Sequence, residues 1–462
     1  MILNSQSFID NGRERLLEEL CEFLRIPSIS TLPEHKGDVL KAAEFVASSL
    51  RDVGMETVEI IAGEGHPLVY AESLEAPGKP TVLCYGHYDV QPPDPLDQWV
   101  TPPFEPTVRN GSLFARGAAD DKGQMYTHIK AVEALRASGG RLPVNVKFLI
   151  EGEEEVGGEA ITAYVPAYRE KLAADVALVS DTAMYAPNTP TICTALRGMV
   201  YMEWEAAGPA RDLHSGLYGG TAPNAVFGLV ELLSKCKDAA GVIQIPGMYE
   251  SVRVPAAAEK ESWRRLPFDE AEYLASEVGS TALTGEPGQS VFERTWARPT
   301  FEIHGIGGGF TGPGGKTVIP AKATAKVSIR LVPDQDPQEI LRAVREFVAE
   351  NTPAGIQVEV RELHSAPASM VSPDHPAIRT AAQALEEVFG QPAVFIRSGG
   401  SIPIAGDITK HLGIPTVLMG FGLPDDGLHS PNEKFSVDNY YKAIQTVSHY
   451  FELLANTNME QA

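Results

Sequence analysis

Three apolar segments of the sequence end abruptly in residues that can bind metal ions. These segments and the residues that follow them are 81–84 with His87 and Asp89, 144–150 with Glu154 and Glu155, and 175–180 with Asp181. Short apolar runs of this kind predict buried strands. In open α/β sheets, ligands bind at the carboxyl ends of the strands. The pattern therefore predicts one convergent site, and its imidazole and carboxylate groups favour a metal centre.

Two further residues complete a set that could hold two divalent ions. Asp120 lies in a glycine-flanked loop, and His429 lies in a second such loop near the end of the chain. Two ions about 3.5–4 Å apart need a bridging carboxylate, a bridging water and terminal ligands on each ion. If Asp120 bridges, His87 and Asp181 can bind the first ion. Glu155 and His429 then remain for the second. Mixed imidazole and carboxylate ligation favours Zn²⁺ or Mn²⁺ over Ca²⁺.

Two carboxylates beside these residues have no place among the ligands. Asp89 follows His87 closely in the sequence and is positioned to orient its imidazole. Glu154 precedes Glu155, and an unliganded carboxylate beside a metal-bridging water is a natural general base. It would take the proton of the water during attack on an amide carbonyl and pass it to the leaving amine. The residues therefore indicate hydrolysis of an amide bond.

The composition excludes several other classes of function. The chain has 462 residues and a formal net charge of −23, which argues against a nucleic-acid partner because phosphate binding needs clustered Lys and Arg. No apolar run approaches the roughly 18–20 residues that span a bilayer. The N-terminus lacks the features of a signal peptide. The four cysteines are far apart and predict small buried residues rather than disulfides. We therefore expect a cytoplasmic protein without a membrane partner.

The order of predicted elements indicates two kinds of domain. Strands and helices alternate through 1–196, which implies an α/β fold with a mostly parallel sheet flanked by helices. The order β-α-β-β-α-β follows in 197–368 and predicts an inserted α+β split-βαβ domain. Its first helix, 223–235, is expected to pack through an apolar face. That face carries Val226, Leu229, Val230 and Leu233. The segment 369–462 then completes the first, catalytic domain.

Seven motifs in this order resemble the di-metal aminopeptidase-like hydrolases. That family includes carnosinase, cytosolic nonspecific dipeptidase, carboxypeptidase G, aminoacylase and succinyl-diaminopimelate desuccinylase. The resemblance covers nearly the whole chain and is strongest to the carnosinase-like dipeptidase branch. The motifs are 87–92, 116–123, 151–155, 212–216, 316–320, 328–333 and 426–430.

The resemblance implies a role for each of these residues. The metal ligands would be His87, Asp120, Glu155, Asp181 and His429, with Glu154 as the general base. The peptide bond between Asp120 and Asp121 would be cis. The inserted domain would be both a lid and the surface of a homodimer. The residues expected to contact substrate are His214, which would reach the active site of the partner subunit, Arg330, which would bind the substrate's C-terminal carboxylate, and Thr317 and Ser401.

The function predicted from these observations is that of a di-metal dipeptidase acting on short peptides with a free C-terminal carboxylate. Two alternatives remain at this point. An N-acyl amino acid deacylase could use the same centre, because only the pocket on the acyl side distinguishes the two activities. A catalytically silent metal- or peptide-binding protein is the other alternative, although retention of Glu154 argues against it.

Overall fold

The computed structural model describes residues 2–63, 65–400 and 402–459. The chain divides into two compact units. Unit 1 comprises Met1–Thr194, Val371–Ile396 and Ile402–Ala462, and unit 2 comprises Ala195–Met370 and Arg397–Ser401. The sequence placed the inserted domain at 197–368. The sequence assigned the short segment Arg397–Ser401 to the catalytic domain, whereas the structure groups it with unit 2.

The elements of the two units follow one another along the chain. The strands are β1 (Thr57–Ile61), β2 (Leu68–Ser73), β3 (Thr81–His87), β4 (Thr107–Arg109), β5 (Ser112–Phe114), β6 (Asn145–Glu151), β7 (Val176–Val179), β8 (Thr191–Leu196), β9 (Gly198–Ala207), β10 (Leu213–His214), β11 (Thr300–Gly308), β12 (Val318–Ile319), β13 (Lys322–Leu331), β14 (Gln357–Ala366), β15 (Ser369–Met370), β16 (Val394–Ser398), β17 (Thr416–Leu418) and β18 (Lys434–Ser436). The α-helices are α1 (Ile2–Leu24), α2 (Lys36–Asp52), α3 (Lys122–Gly139), α4 (Glu159–Ala167), α5 (Arg169–Leu172), α6 (Ser215–Tyr218), α7 (Ala225–Ser234), α8 (Ala257–Arg264), α9 (Glu270–Glu272), α10 (Pro337–Asn351), α11 (Pro376–Phe389), α12 (Pro403–Asp407) and α13 (Val437–Leu454).

The main sheet of unit 1 has a parallel centre. Its strands run in the order β1-β2-β6-β3-β7-β17-β8. The pairs β6–β3, β3–β7 and β7–β17 are parallel, whereas β1–β2, β2–β6 and β17–β8 are antiparallel. The central strands are buried almost throughout, which explains why their sequences are continuous apolar runs. The predicted α/β fold with a mostly parallel central sheet is confirmed.

Helices of unit 1 pack around that sheet and around one another. Helix α3 contacts α1, α13 and β3, and α11 contacts α13 and β17. Helix α3 is buried along most of its length and ends at Gly140, whose positive φ of 74° closes the last turn. These contacts hold the start of α3, next to Asp120, beside the carboxyl end of β3.

A small second sheet in unit 1 joins distant parts of the chain. Its strands run in the order β18-β5-β4, with Lys434 opposite Phe114 and Ser436 opposite Ser112. Each strand has three residues, too few for an alternating pattern to be recognised, and the sequence did not predict them. The pairing of β18 with β5 joins the end of the loop that contains His429 to the start of the loop that contains Asp120.

Unit 2 contains the predicted split-βαβ arrangement. Its four-stranded antiparallel sheet has the order β11-β13-β9-β14, and α7 and α10 contact it. At the start of helix α10, the side chain of Asp336 accepts hydrogen bonds from the backbone N–H groups of Gln338 and Glu339, and Pro337 lies in the first turn. The α+β inserted domain is confirmed.

One detail of helix α7 differs from the prediction. Its buried side includes Leu229 and Leu232, but Val230 is 46% exposed. The reason is a close approach at Gly228, where an added Cβ would meet the side chain of Ile356. The buried face therefore includes Gly228 together with the leucines, and Val230 is turned outward.

The segment 240–298 has more structure than the sequence suggested. Its sequence is polar and contains Pro and Gly, yet it includes α8, in which Trp263 is buried. The carboxylate of Glu259 in the same helix forms two hydrogen bonds of 2.7 Å with the guanidinium of Arg397. In the described residues, none of the helices combines the length and the apolarity needed to cross a bilayer.

Candidate metal centre

The parallel strands bring their polar ends to one edge of the sheet of unit 1. His87 is the last residue of β3, and Glu155 lies in a short 3₁₀ turn (Glu154–Val156) after β6. Asp181 follows β7. Because β6, β3 and β7 are adjacent and parallel, their carboxyl ends must meet. Asp120 and His429 reach the same edge from loops.

The carboxylate of Asp120 lies between two imidazoles. His87 Nε2 is 3.2 Å from Asp120 Oδ1, and His429 Nε2 is 2.9 Å from Asp120 Oδ2. His429 Nε2 is also 3.4 Å from Glu155 Oε2. Each oxygen of Asp120 thus faces a different group of side chains. This is the arrangement that a bridging carboxylate requires.

Two candidate metal-binding groups result, and they share one residue. The first is His87, Asp120 and Asp181, and the second is Asp120, Glu155 and His429. In each group one potential ligand atom per residue lies within 4.8 Å of the others. The structure therefore brings together the five side chains that the sequence nominated, in the two groups that the sequence suggested.

The electrostatics of this edge are those of a site that needs cations. Burial, together with the charges of Asp120 and Asp121, raises the pKa of Asp181 well above its ordinary value. Burial also raises the pKa of the Glu154 carboxyl to about 7; the nearby Glu155 and Asp120 act in the same direction, and His87 opposes them. Among the described residues, Glu155 Oε1 is buried without a hydrogen-bond partner. Bound divalent cations would compensate these charges and supply that oxygen with a partner.

Asp89 occupies the position beside His87 that the sequence predicted, but it has more partners. His87 Nδ1 is 3.1 Å from the backbone oxygen of Asp89 and 3.4 Å from its Oδ1. The two carboxylate oxygens also accept hydrogen bonds from the backbone N–H groups of Glu154, at 3.3 Å, and Glu155, at 3.2 Å. Asp89 therefore contacts both the imidazole and the turn that contains Glu154.

Several supporting residues were missed by reasoning from the sequence. Gln91 donates a hydrogen bond of 2.8 Å to Glu155 Oε2, and Asp121 Oδ2 accepts one of 3.2 Å from the backbone of His87. The Asp120–Asp121 peptide bond is cis, as the resemblance implied. Gln91 lies within the motif 87–92, so its position was a usable signal. Glu433 is another supporting residue, and the sequence around it gave no such signal. The backbone groups that bond to its side chain are about three hundred residues away in the chain.

The predicted substrate contacts lie in unit 2, except for one that is not described. His214 is exposed in β10, where it pairs with Val318, and its Nδ1 accepts a hydrogen bond of 3.0 Å from the backbone N–H of Gly216. That bond leaves Nε2 to bear the proton of a neutral imidazole. Thr317 is next to this strand pair, and its backbone oxygen accepts from Ser215. Ser401 lies outside the described residues.

Arg330 lines a cavity of unit 2. It lies near the end of β13, opposite Met199 and Thr300, and burial lowers the pKa of its guanidinium. The cavity has a volume of about 570 Å³. Other residues of its wall are Arg197, Tyr201, His304 and Ser328. Three further guanidiniums, those of Arg197, Arg294 and Arg298, therefore accompany Arg330 in a pocket with several hydrogen-bonding groups.

Comparison with known proteins identifies relatives over almost the full length of the chain. The Cys-Gly metallodipeptidase of Schizosaccharomyces pombe is 34% identical over 97% of this chain and 98% of its own length. The Beta-Ala-His dipeptidase of Homo sapiens is 31% identical over 96% of this chain and 91% of its own length. The predicted resemblance to carnosinase-like dipeptidases is confirmed.

Solved structures agree with the sequence relatives. Human carnosine dipeptidase 1 matches with a TM-score of 0.81 and 31% identity, covering 98% of this chain and 99% of its own. An M20 family metallo-carboxypeptidase from Sulfolobus solfataricus matches with a TM-score of 0.85 and 31% identity over 96% of this chain and 99% of its own. A family model described as peptidase family M20/M25/M40 matches residues 83–453. The chain therefore belongs to peptidase family M20/M25/M40, and it is a metallopeptidase, as its sequence predicted.

Proposed function

We propose that this protein is a metal-dependent dipeptidase that hydrolyses the amide bond of short peptides with a free C-terminal carboxylate. The observation that carries the proposal is the shared carboxylate of Asp120 between two groups of imidazole and carboxylate ligands, with Glu154 beside them. The names of the curated relatives support the substrate class, since the proteins of S. pombe and H. sapiens are both dipeptidases. They give no support to the alternative of an N-acyl amino acid deacylase.

The metal centre is proposed to hold two divalent ions, Zn²⁺ or Mn²⁺. The residues that would bind them are His87, Asp120 and Asp181 for one ion and Asp120, Glu155 and His429 for the other. These donors fit, because three carboxylates and two imidazoles suit such ions better than Ca²⁺. When bound, the ions would supply Lewis-acid polarisation of the scissile carbonyl.

Glu154 would act as the general base of the reaction. Its carboxyl is largely buried beside Glu155, and the backbone of both residues is anchored by Asp89. It would accept a proton from the attacking water and return it to the leaving amine. Asp89 would keep the His87 imidazole and the turn that contains Glu154 in a fixed relative position during these steps.

The remaining contacts to substrate are proposed for unit 2. Nε2 of His214 would donate a hydrogen bond to the oxygen of the scissile carbonyl, where negative charge develops. Arg330 would bind the terminal carboxylate through two parallel hydrogen bonds. Thr317 and Ser401 would add polar contacts. We further propose that the protein is a cytoplasmic homodimer, formed through unit 2, in which His214 serves the active site of the partner subunit.

The test is hydrolysis of a dipeptide panel by protein treated with EDTA and then resupplied with Mn²⁺ or Zn²⁺. Tripeptides and N-acetyl and N-succinyl amino acids are included in the same panel. We expect metal-restored cleavage of dipeptides, and loss of turnover in Glu154→Gln while its metal content equals that of the wild type. Cleavage confined to acylated amino acids, or full activity of Glu154→Gln, would contradict the proposal.

A further inference from the structure

The carboxylate of Glu433 is completely buried and accepts four hydrogen bonds from one loop. At Oε2 the donors are Arg116 Nη1, at 2.7 Å, and the backbone N–H of Gly117, at 2.9 Å. At Oε1 they are the backbone N–H groups of Ala119, at 2.9 Å, and Asp120, at 3.1 Å. The side chain of Glu433 therefore binds the loop that contains Asp120, in part through the backbone N–H groups of Gly117, Ala119 and Asp120 itself.

The backbone of Glu433 belongs to the loop that contains His429. Both His429 and Asn432 in this loop have left-handed backbone conformations, with φ of 59° and 64°. Glu433 comes directly before β18, and its backbone oxygen accepts a hydrogen bond of 3.1 Å from Ala115, the residue after β5. One residue therefore connects the loop of Asp120 with the loop of His429 by backbone and side chain together.

The chemistry of these contacts requires an ionised carboxylate of this length. All four partners are N–H donors, and a carboxylate offers two oxygens with about four acceptor positions. A glutamine would present its NH₂ group to two of the donors, and buried donors left without an acceptor are destabilising. An aspartate would keep the charge but lack one methylene group, so it could not reach both ends of the loop at once.

We propose that Glu433 is a positioning residue that fixes the distance between Asp120 and His429, and thereby the affinity of the group formed by Asp120, Glu155 and His429 for its metal ion. The inference rests on the proposed metal centre. Glu433 lies behind the ligands and bonds to none of their side chains in the contacts above. His87 and Asp181 are positioned by β3 and β7 instead. The group that these two residues form with Asp120 should therefore depend on Glu433 only through Asp120.

The test is calorimetric titration of metal-free protein with Mn²⁺, comparing wild type with Glu433→Gln and Glu433→Asp. The matched control is Glu19→Gln, which also removes an ion-paired carboxylate of unit 1, bonded to Arg15 at 2.7 Å and Lys130 at 2.6 Å. We expect one of the two binding events to weaken by about 10–100-fold in Glu433→Gln, as for other residues that orient ligands. Glu433→Asp should show a smaller loss, and Glu19→Gln none.

Unchanged affinities for both ions in folded Glu433→Gln would overturn the proposal, even if its melting temperature fell. If that variant is insoluble, Glu433→Asp decides instead, because it keeps the charge but cannot reach both ends of the loop: one weakened binding event supports the proposal, and unchanged affinities overturn it. Binding is measured without substrate, so a wild-type protein that binds two ions but cleaves no dipeptide would count against the proposed function and leave the role of Glu433 testable.

Discussion

Asp89 accepts a hydrogen bond from the backbone N–H of Glu154, at 3.3 Å, through the same carboxylate oxygen that lies 3.4 Å from His87 Nδ1. A single buried side chain thus fixes the proposed base relative to a proposed metal ligand. The relationship explains why a carboxylate directly after the His87 strand is useful to the site. It aligns the end of β3 with the turn that follows the neighbouring strand β6.

We expect Asp89→Asn to lower kcat by about 10–100-fold while most of the bound metal is retained, because residues that orient ligands typically have effects of this size. The amide would present an NH₂ group either to the imidazole or to the backbone N–H groups of the Glu154 turn. Steady-state kinetics with parallel metal analysis measure the effect. Asp97→Asn, an exposed position nearby in the chain, is the control. A kcat equal to that of wild type would show that the contact is dispensable.

Removal of Asp120 and removal of Asp181 should affect metal content differently. Asp120 belongs to both candidate groups, whereas Asp181 belongs to one. We therefore expect Asp181→Ala to retain one ion per chain and Asp120→Ala to retain none, with dipeptide hydrolysis lost in both. Elemental analysis after dialysis against a metal-free buffer measures the content. Equal metal contents in the two variants would contradict the assignment of Asp120 as the bridging ligand.

The proposed role of His214 in a partner subunit can be tested by mixing two inactive variants. In a mixed dimer of His214→Ala and Glu154→Gln, the site of the first chain keeps Glu154 and receives His214 from the second. Random exchange makes half of the dimers mixed, each with one complete site, so activity should recover to about a quarter of wild type.

The measurement is dipeptide hydrolysis before and after the two variants are unfolded together and refolded. His35→Ala mixed with Glu154→Gln controls for refolding, because His35 lies in neither proposed site and this mixture should keep about half of wild-type activity throughout. No recovery in the His214→Ala mixture, while the control mixture retains its activity, would place His214 in the site of its own chain or outside catalysis.

The stability of the protein should fall between neutral pH and pH 5 because of His128. Its Nε2 lies 2.7 Å from Ser180 Oγ, which itself donates to the backbone oxygen of Met419, so Nε2 bears the proton of the neutral ring. Burial lowers the pKa of His128 to about 3 from the ordinary value of 6.5. Between these values the unfolded chain binds a proton here and the folded chain does not. The contribution of neutral His128 to the free energy of unfolding is therefore fully present above pH 6.5, and it is lost as the pH falls toward the pKa of the folded state.

The expected loss at pH 5 is about 2 kcal/mol in the free energy of unfolding, from the difference of 1.5 between pH 5 and the unfolded pKa. The measurement is urea unfolding of wild type and His128→Gln at several pH values. The difference between the two curves isolates His128 from the other titrating groups. We expect the wild type to lose about 2 kcal/mol more than the variant between pH 7.5 and pH 5. Parallel curves would show that His128 does not titrate in this way.

The sequence alone determined the parallel centre of the sheet and the residues at its edge. Short continuous apolar runs are typical of strands buried on both faces, and adjacent parallel strands bring their carboxyl ends together. The positions of His87, Glu155 and Asp181 follow from that geometry. The order of elements in unit 2 was predictable for a similar reason, since the split-βαβ pattern depends on local periodicity in strands and helices of nine or more residues.

Only the tertiary structure decided which residues connect these elements. The three-residue strands β4, β5 and β18 have no recognisable period, and their pairing depends on the rest of unit 1 being in place. Glu433 and Asp120 are separated by 313 residues, so nothing local indicates that one side chain holds the loop of the other. The outward turn of Val230 likewise follows from close packing at Gly228. Local patterns specify elements because they act between neighbours in the chain, whereas these contacts exist only after distant segments have packed together.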